Sequence, residues 1–223
     1  MLKAESIVRL QDQETRAGHQ AAAQAAPPES EPASNPHADP AADCDPGADW
    51  LEAVRRQHLA NFELWHIEDE ARRPDASDAE LADVKRRVDR TNQRRNDLAE
   101  ALDRALLAWL EPRGLPNPAA ALHSETPGLM IDRLSILSLK IYHTREEAER
   151  AGAPQGHAER NLARLAILEE QRGDLAACLD ALWRETLEAK RRFKLYRQLK
   201  MYNDPLLNPS IYRSPAQAKS SGR

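Results

Sequence analysis

The sequence predicts an all-α fold, an antiparallel up-down bundle of four long helices plus a short N-terminal helix. Three observations carry this. Apolar residues recur at three- and four-residue steps in separate stretches, strand-like alternation is absent, and Leu, Ala, Glu and Arg dominate while aromatics make up 4%. The first fifty residues differ in composition from the rest, so the remaining length points to a single core.

Taken in order, residues 1–19 carry Ile7, Val8 and Leu10 at loosely helical spacing, which predicts a short helix packing on the bundle and ending at Gly18. Residues 20–48 hold six prolines and many acids with almost nothing to bury, and are expected to form a disordered acidic linker. The bundle domain is placed at 49–202. Its first helix opens at Trp50 and must stop near Arg73, before Pro74. Ser77 with Glu80 reads as a capping box for a second helix running to about Leu110. Thr126 caps a third helix with Pro127 in its first turn, and this helix is apolar at nearly every angle from Leu129 to Tyr142. It should be the most buried of the set. A last helix starts near Gln155 and is expected to reach about Lys200 unless Gly173 or the Ala189 region bends it. Pro205 and Pro209 mark an irregular tail over 203–223.

A formal net charge of −4 is too mild to demand a nucleic acid or a membrane surface. No stretch approaches the roughly 20 apolar residues of a membrane span, and the charged N-terminus lacks a signal-peptide core. Cys44 and Cys178 have no disulfide or metal spacing, so a reducing cytoplasm is expected.

Several inward-facing positions are polar. Counting outward from the turn at 74–77 puts His58 and Asn61 beside Asn92, Arg95 and Asn96, and counting across the loop before Thr126 puts Lys140 and His143 at the same height. These seven residues form a candidate ligand-binding layer, with Asp69 and Asp132 expected at other heights. A buried Arg needs a carboxylate or a ligand, so the layer is either a sealed network that fixes helix register or a pocket for an anionic or sugar-like molecule. A second candidate, for an anion or a protein partner, is the basic end with Arg192, Tyr196, Arg197 and Lys200. Glu63 and His66 make a Glu-x-x-His step of the kind that di-iron bundles use, but no second step exists, so no metal and no cofactor are expected. Nucleic acid is disfavoured, and an Ala- and Leu-rich helix face leaves room for a homodimer.

The phrases LWHIEDEAR (64–72), VKRRVDRTNQRRND (84–97), ETPGLMIDRLSILSLKIYH (125–143) and RRFKLYRQLKMYNDPLLNP (191–209) resemble a bacterial family catalogued as domain of unknown function 4254. The resemblance assigns no catalytic residues. It implies a genomic setting beside glycosyltransferases of envelope polysaccharide synthesis. The expected function is therefore a non-catalytic binding or accessory module linked to envelope glycans. The alternative is an enzyme acting on a phosphorylated or nucleotide-linked sugar in the mid-bundle pocket.

Overall fold

Five helices account for nearly all the regular structure in the computed structural model, which describes residues 2–24, 50–199 and 206–209: α1 (Ala4–Gln24), α2 (Trp50–Glu70), α3 (Asp78–Leu110), α4 (Pro127–Glu149) and α5 (His157–Leu187). The expected linker from residue 25 onward, Lys200, Tyr202, Cys44 and most of the 203–223 tail lie outside the described residues.

The all-α architecture is as the periodicity indicates, and α4 is its centre. Helix α4 packs against each of the other four helices. Its Met130, Ile131, Leu134, Leu139 and Ile141 are buried, as an all-round apolar pattern requires. Ile7, Val54, Leu102, Leu110, Leu179 and Phe193 complete the core around it.

The helix starts follow local capping chemistry. Ser77 accepts from the Glu80 amide at 3.3 Å while Glu80 Oε2 accepts from the Ser77 amide at 2.7 Å, closing the capping box of α3. Thr126 caps α4 by accepting from the Leu129 amide at 3.3 Å. Salt bridges Arg55–Glu14, Arg87–Glu70 and Arg94–Glu63 stitch α1 to α2 and α2 to α3 along the surface.

Two expectations need correction. Helix α1 is not short: at 21 residues it equals α2, and residues 20–24, assigned to the linker, continue it. The Ala-rich QAAAQ run favours helix, and Gly18 is not a stop signal but a contact point. A Cβ at position 18 would come within 2.6 Å of the Phe62 ring, so the absent side chain lets α1 lie close to α2.

The last helix also ends earlier than expected, at Leu187. Ala189 adopts φ 58°. Its amide bonds the Thr186 carbonyl at 3.1 Å and the Lys190 amide bonds the Glu185 carbonyl at 2.9 Å, a Schellman stop with alanine where glycine is usual. The basic segment is thus not a helix end at all. It turns back as a two-residue strand, Arg191–Arg192 (β2), paired parallel with Ala121–Leu122 (β1), and drives Phe193 into the core. Left-handed alanine costs about 1 kcal/mol. Ala189→Gly is therefore expected to raise stability by roughly 0.5–1 kcal/mol in denaturant unfolding, with no change in helix content.

Candidate functional site

Asp132, on the first turns of α4, is the hub of the polar layer. Its Oδ1 accepts from Gln57 Nε2 at 2.6 Å, Asn61 Nδ2 at 2.9 Å and Arg95 Nε at 2.8 Å, and its Oδ2 accepts from Arg95 Nη2 at 2.6 Å. The carboxylate is thereby saturated and the Arg fork is matched bidentately. Arg95 is the member of this pair that reaches the surface: its side chain keeps 23% exposure against 7% for Asp132. Asn92 Oδ1 accepts from Arg95 Nη1 at a long 3.5 Å, while Asn96 is half-buried and joins no side-chain hydrogen bond among the described residues.

From Asn61 the network runs inward. Asn61 Nδ2 also donates to Ser135 Oγ at 3.0 Å, and Ser135 lies 2.8 Å from His58 Nδ1. On the other side of the ring, Thr15 Oγ1 stands 3.1 Å from His58 Nε2 and donates its one proton to the Gln11 carbonyl at 2.8 Å. Thr15 can therefore only accept from His58. The proton sits on Nε2, and Nδ1 accepts from Ser135. Gln11 Nε2 then donates to the Ile131 carbonyl at 3.1 Å. The relay ties α1, α2, α3 and α4 together at one level.

Burial pushes His58 down to about 4, against the upward pull of nearby Asp12, so the folded protein holds it neutral. Because the folded value lies below the unfolded one near 6.5, this group's stabilising effect is present above pH 6.5 and is lost as pH falls through 4. The loss amounts to about 3 kcal/mol. Asp103 acts in the opposite sense. Buried against the start of α4, where it accepts from the Gly128 amide at 2.7 Å, it is pushed up to about 6 by burial. Its contribution is present below about pH 4 and is lost as pH rises through 6. The two partly cancel in wild type. His58→Gln should therefore gain stability relative to wild type as pH is lowered from 6.5 to 4, read from urea unfolding of both proteins at each pH.

The seven residues of the expected layer do not all meet. His58, Asn61, Arg95 and, weakly, Asn92 do. Lys140 and His143 do not, and Asp132, expected at another height, takes their place. Helix α4 begins against Ala99 and Asp103 rather than level with the end of α3, because the intervening loop climbs back along the bundle. That shifts α4 by about two helical turns from the count. Lys140 is exposed on another face, in a second cleft of about 640 Å³ with His123, Arg133 and Asp174. His143 lies toward the far end of α4 in a cluster of rings. It stacks on Trp65 at 4.9 Å and meets His19 edge-on at 4.8 Å, while His19 stacks on Tyr142 at 4.4 Å.

In the basic segment, Arg192 Nε donates to the Ala120 carbonyl at 2.9 Å and so serves the β1–β2 junction, while Tyr196 and Arg197 are exposed. Glu63 is engaged by Thr91 and Arg94 of α3. Among the described residues no group of three His, Cys, Asp or Glu side chains is placed to hold a metal ion.

Over the outer edge of the Asp132 network lies a cleft of about 420 Å³ between α2, α3 and α4. Arg95 and Asn61 form its polar floor, Leu64, Ile136 and Leu139 its apolar wall, and Trp65, Glu68, Asp69 and Arg72 its rim. Arg72 Nη1 is turned onto Glu68, both to its carbonyl and to its carboxylate. Trp65, Glu68 and Arg72 were legible in the sequence only as part of an amphipathic helix. The signal that marks them is their alignment with Asn61 at three- to four-residue steps, on the edge of the face that Asn61 turns inward.

The fold and the cleft define a helical bundle with a polar keystone and a small surface cleft above it. The model of the family described as Protein of unknown function (DUF4254) matches residues 51–195, and the chain belongs to that family. No curated protein and no solved structure matches the chain. The match begins at α2, so α1, which supplies Gln11 and Thr15 to the relay, lies outside it.

Proposed function

We propose that the protein is a non-catalytic binding module whose cleft between α2, α3 and α4 takes a compact polyhydroxylated ligand such as a sugar unit. The carrying observation is that both cations lining the cleft already hold carboxylates, Arg95 that of Asp132 and Arg72 that of Glu68. A phosphate would have to displace an intramolecular partner, whereas hydroxyl groups can donate to Asn61 Oδ1 and the Glu68 carboxylate and accept from the remaining N–H groups of Arg95 without breaking a pair. The indole of Trp65 offers an apolar surface beside them, and the volume falls in the range of about 300–1,000 Å³ typical of small-molecule sites.

Acid–base catalysis in the cleft would need tuned groups within reach of a bound ligand. Among the described residues, His58 and Asp103 carry large shifts, and they are buried at 0% and 2% exposure, out of reach of anything in the cleft. An accessory role in envelope glycan synthesis, in the cytoplasm, is the setting that we attach to this reading; no helix among the described residues is long and apolar enough to cross a membrane. Calorimetric titration with a panel of hexoses tests it. Saturable binding that weakens at least tenfold in Trp65→Ala is the expected result, and binding that ignores Trp65, or no binding by any saccharide, overturns the proposal.

A further inference from the structure

The charges around the cleft narrow the class of ligand. Glu68 is matched by Arg72 and Asp132 by Arg95, while Asp69 is left over. Its carboxylate stands exposed at the rim, where its electrostatic neighbour is His66, an imidazole that burial holds toward the neutral form, and it enters no ion pair or side-chain hydrogen bond among the described residues. The cleft therefore carries one uncompensated negative charge, and nothing in it offers an uncompensated positive one. Beside Asp69 is Trp65, one face of which is covered by His143 at 4.9 Å and 6° while the rest of the indole lines the cleft. An aromatic surface next to a carboxylate is the pairing that favours an ammonium group, through the ring quadrupole and direct attraction together.

We infer that the cleft selects an amine-bearing saccharide, holding the protonated amino group between Asp69 and the Trp65 indole while the ring hydroxyls meet Asn61 and Arg95. The inference rests on the reading of the cleft as a sugar site and adds the ligand class. An N-acetylated sugar of the same ring geometry keeps the hydroxyl pattern and loses the charge, so it separates the two claims.

The test is calorimetric titration of the full chain at low salt and about pH 6.5, where a sugar amine is protonated, with glucosamine, N-acetylglucosamine and glucose. Glucosamine should bind roughly three- to tenfold tighter than the other two, an advantage that shrinks as salt screens the pair. Asp69→Asn should bring the glucosamine to N-acetylglucosamine ratio near one, and Glu170→Gln, the same charge change on the exposed surface of α5, should leave that ratio as in wild type. Binding of all three sugars without an amine preference, or a preference that survives Asp69→Asn, overturns this inference alone. Failure of all three to bind overturns it together with the cleft reading.

Discussion

Asp132→Ala is expected to destabilise the fold by about 3–5 kcal/mol, measured by urea unfolding. The substitution leaves three donors without their acceptor at once: Gln57, Asn61 and the guanidinium of Arg95, the first two of them buried. An unpaired amide costs about 1–3 kcal/mol and an unpaired charge more, partly relieved here because Arg95 can swing toward the cleft. Against a typical total of about 5–15 kcal/mol, the loss removes a large share of the stability. Arg95→Ala should cost less, since Gln57 and Asn61 still serve the carboxylate. A double-mutant cycle over Arg95 and Asp132 should return a coupling of about 1–3 kcal/mol. Additive single effects would mean that the pair does not act as a unit.

Gly128→Ala is expected to cost roughly 3 kcal/mol or more. A Cβ there would sit 2.2 Å from the Ala99 carbonyl and 2.9 Å from the Asp103 carboxyl, so α3 and α4 would have to separate and the Asp103 bond to the Gly128 amide would stretch. The obstacle is backbone, which no side-chain change at 99 can remove. Gly173→Ala provides the contrast. It lies inside α5 with nothing near the added methyl, and should stabilise by about 1 kcal/mol through helix propensity. Thermal unfolding of the two variants should move in opposite directions.

The phrase ETPGLMIDRLSILSLKIYH (125–143) thus has a structural reading at five of its positions. Thr126 and Pro127 start the helix, Gly128 admits α3, Asp132 gathers the neighbouring helices, and Ser135 bonds His58. How much of this was legible differs by element. Helices α2, α3 and α4 were, because caps and prolines are local chemistry: the Ser77 box and the Thr126 cap act within four residues. The tight α2–α3 turn also let a residue count place His58 beside Arg95. That count failed for Lys140 and His143 because the climb of the 111–125 loop depends on β1 pairing with β2, seventy residues away. The end of α5 was hidden for a related reason, since a left-handed alanine carries no glycine signal, although the Ala189 region was a recognised bend candidate. Gly18 misled in the opposite way: a glycine kept for the closeness of Phe62 looks in sequence like one kept for a helix end.

The cleft itself was least legible. Trp65, Glu68 and Arg72 acquire meaning only once α4 places Ile136 and Leu139 across from them and Asp132 has claimed Arg95. The most direct measurement is an NMR titration with glucosamine that follows the four indole N–H signals. Saturable movement of the Trp65 signal, with Trp50, Trp109 and Trp183 still, is the expected result; a Trp65 signal that stays fixed while the sugar is bound elsewhere would contradict it.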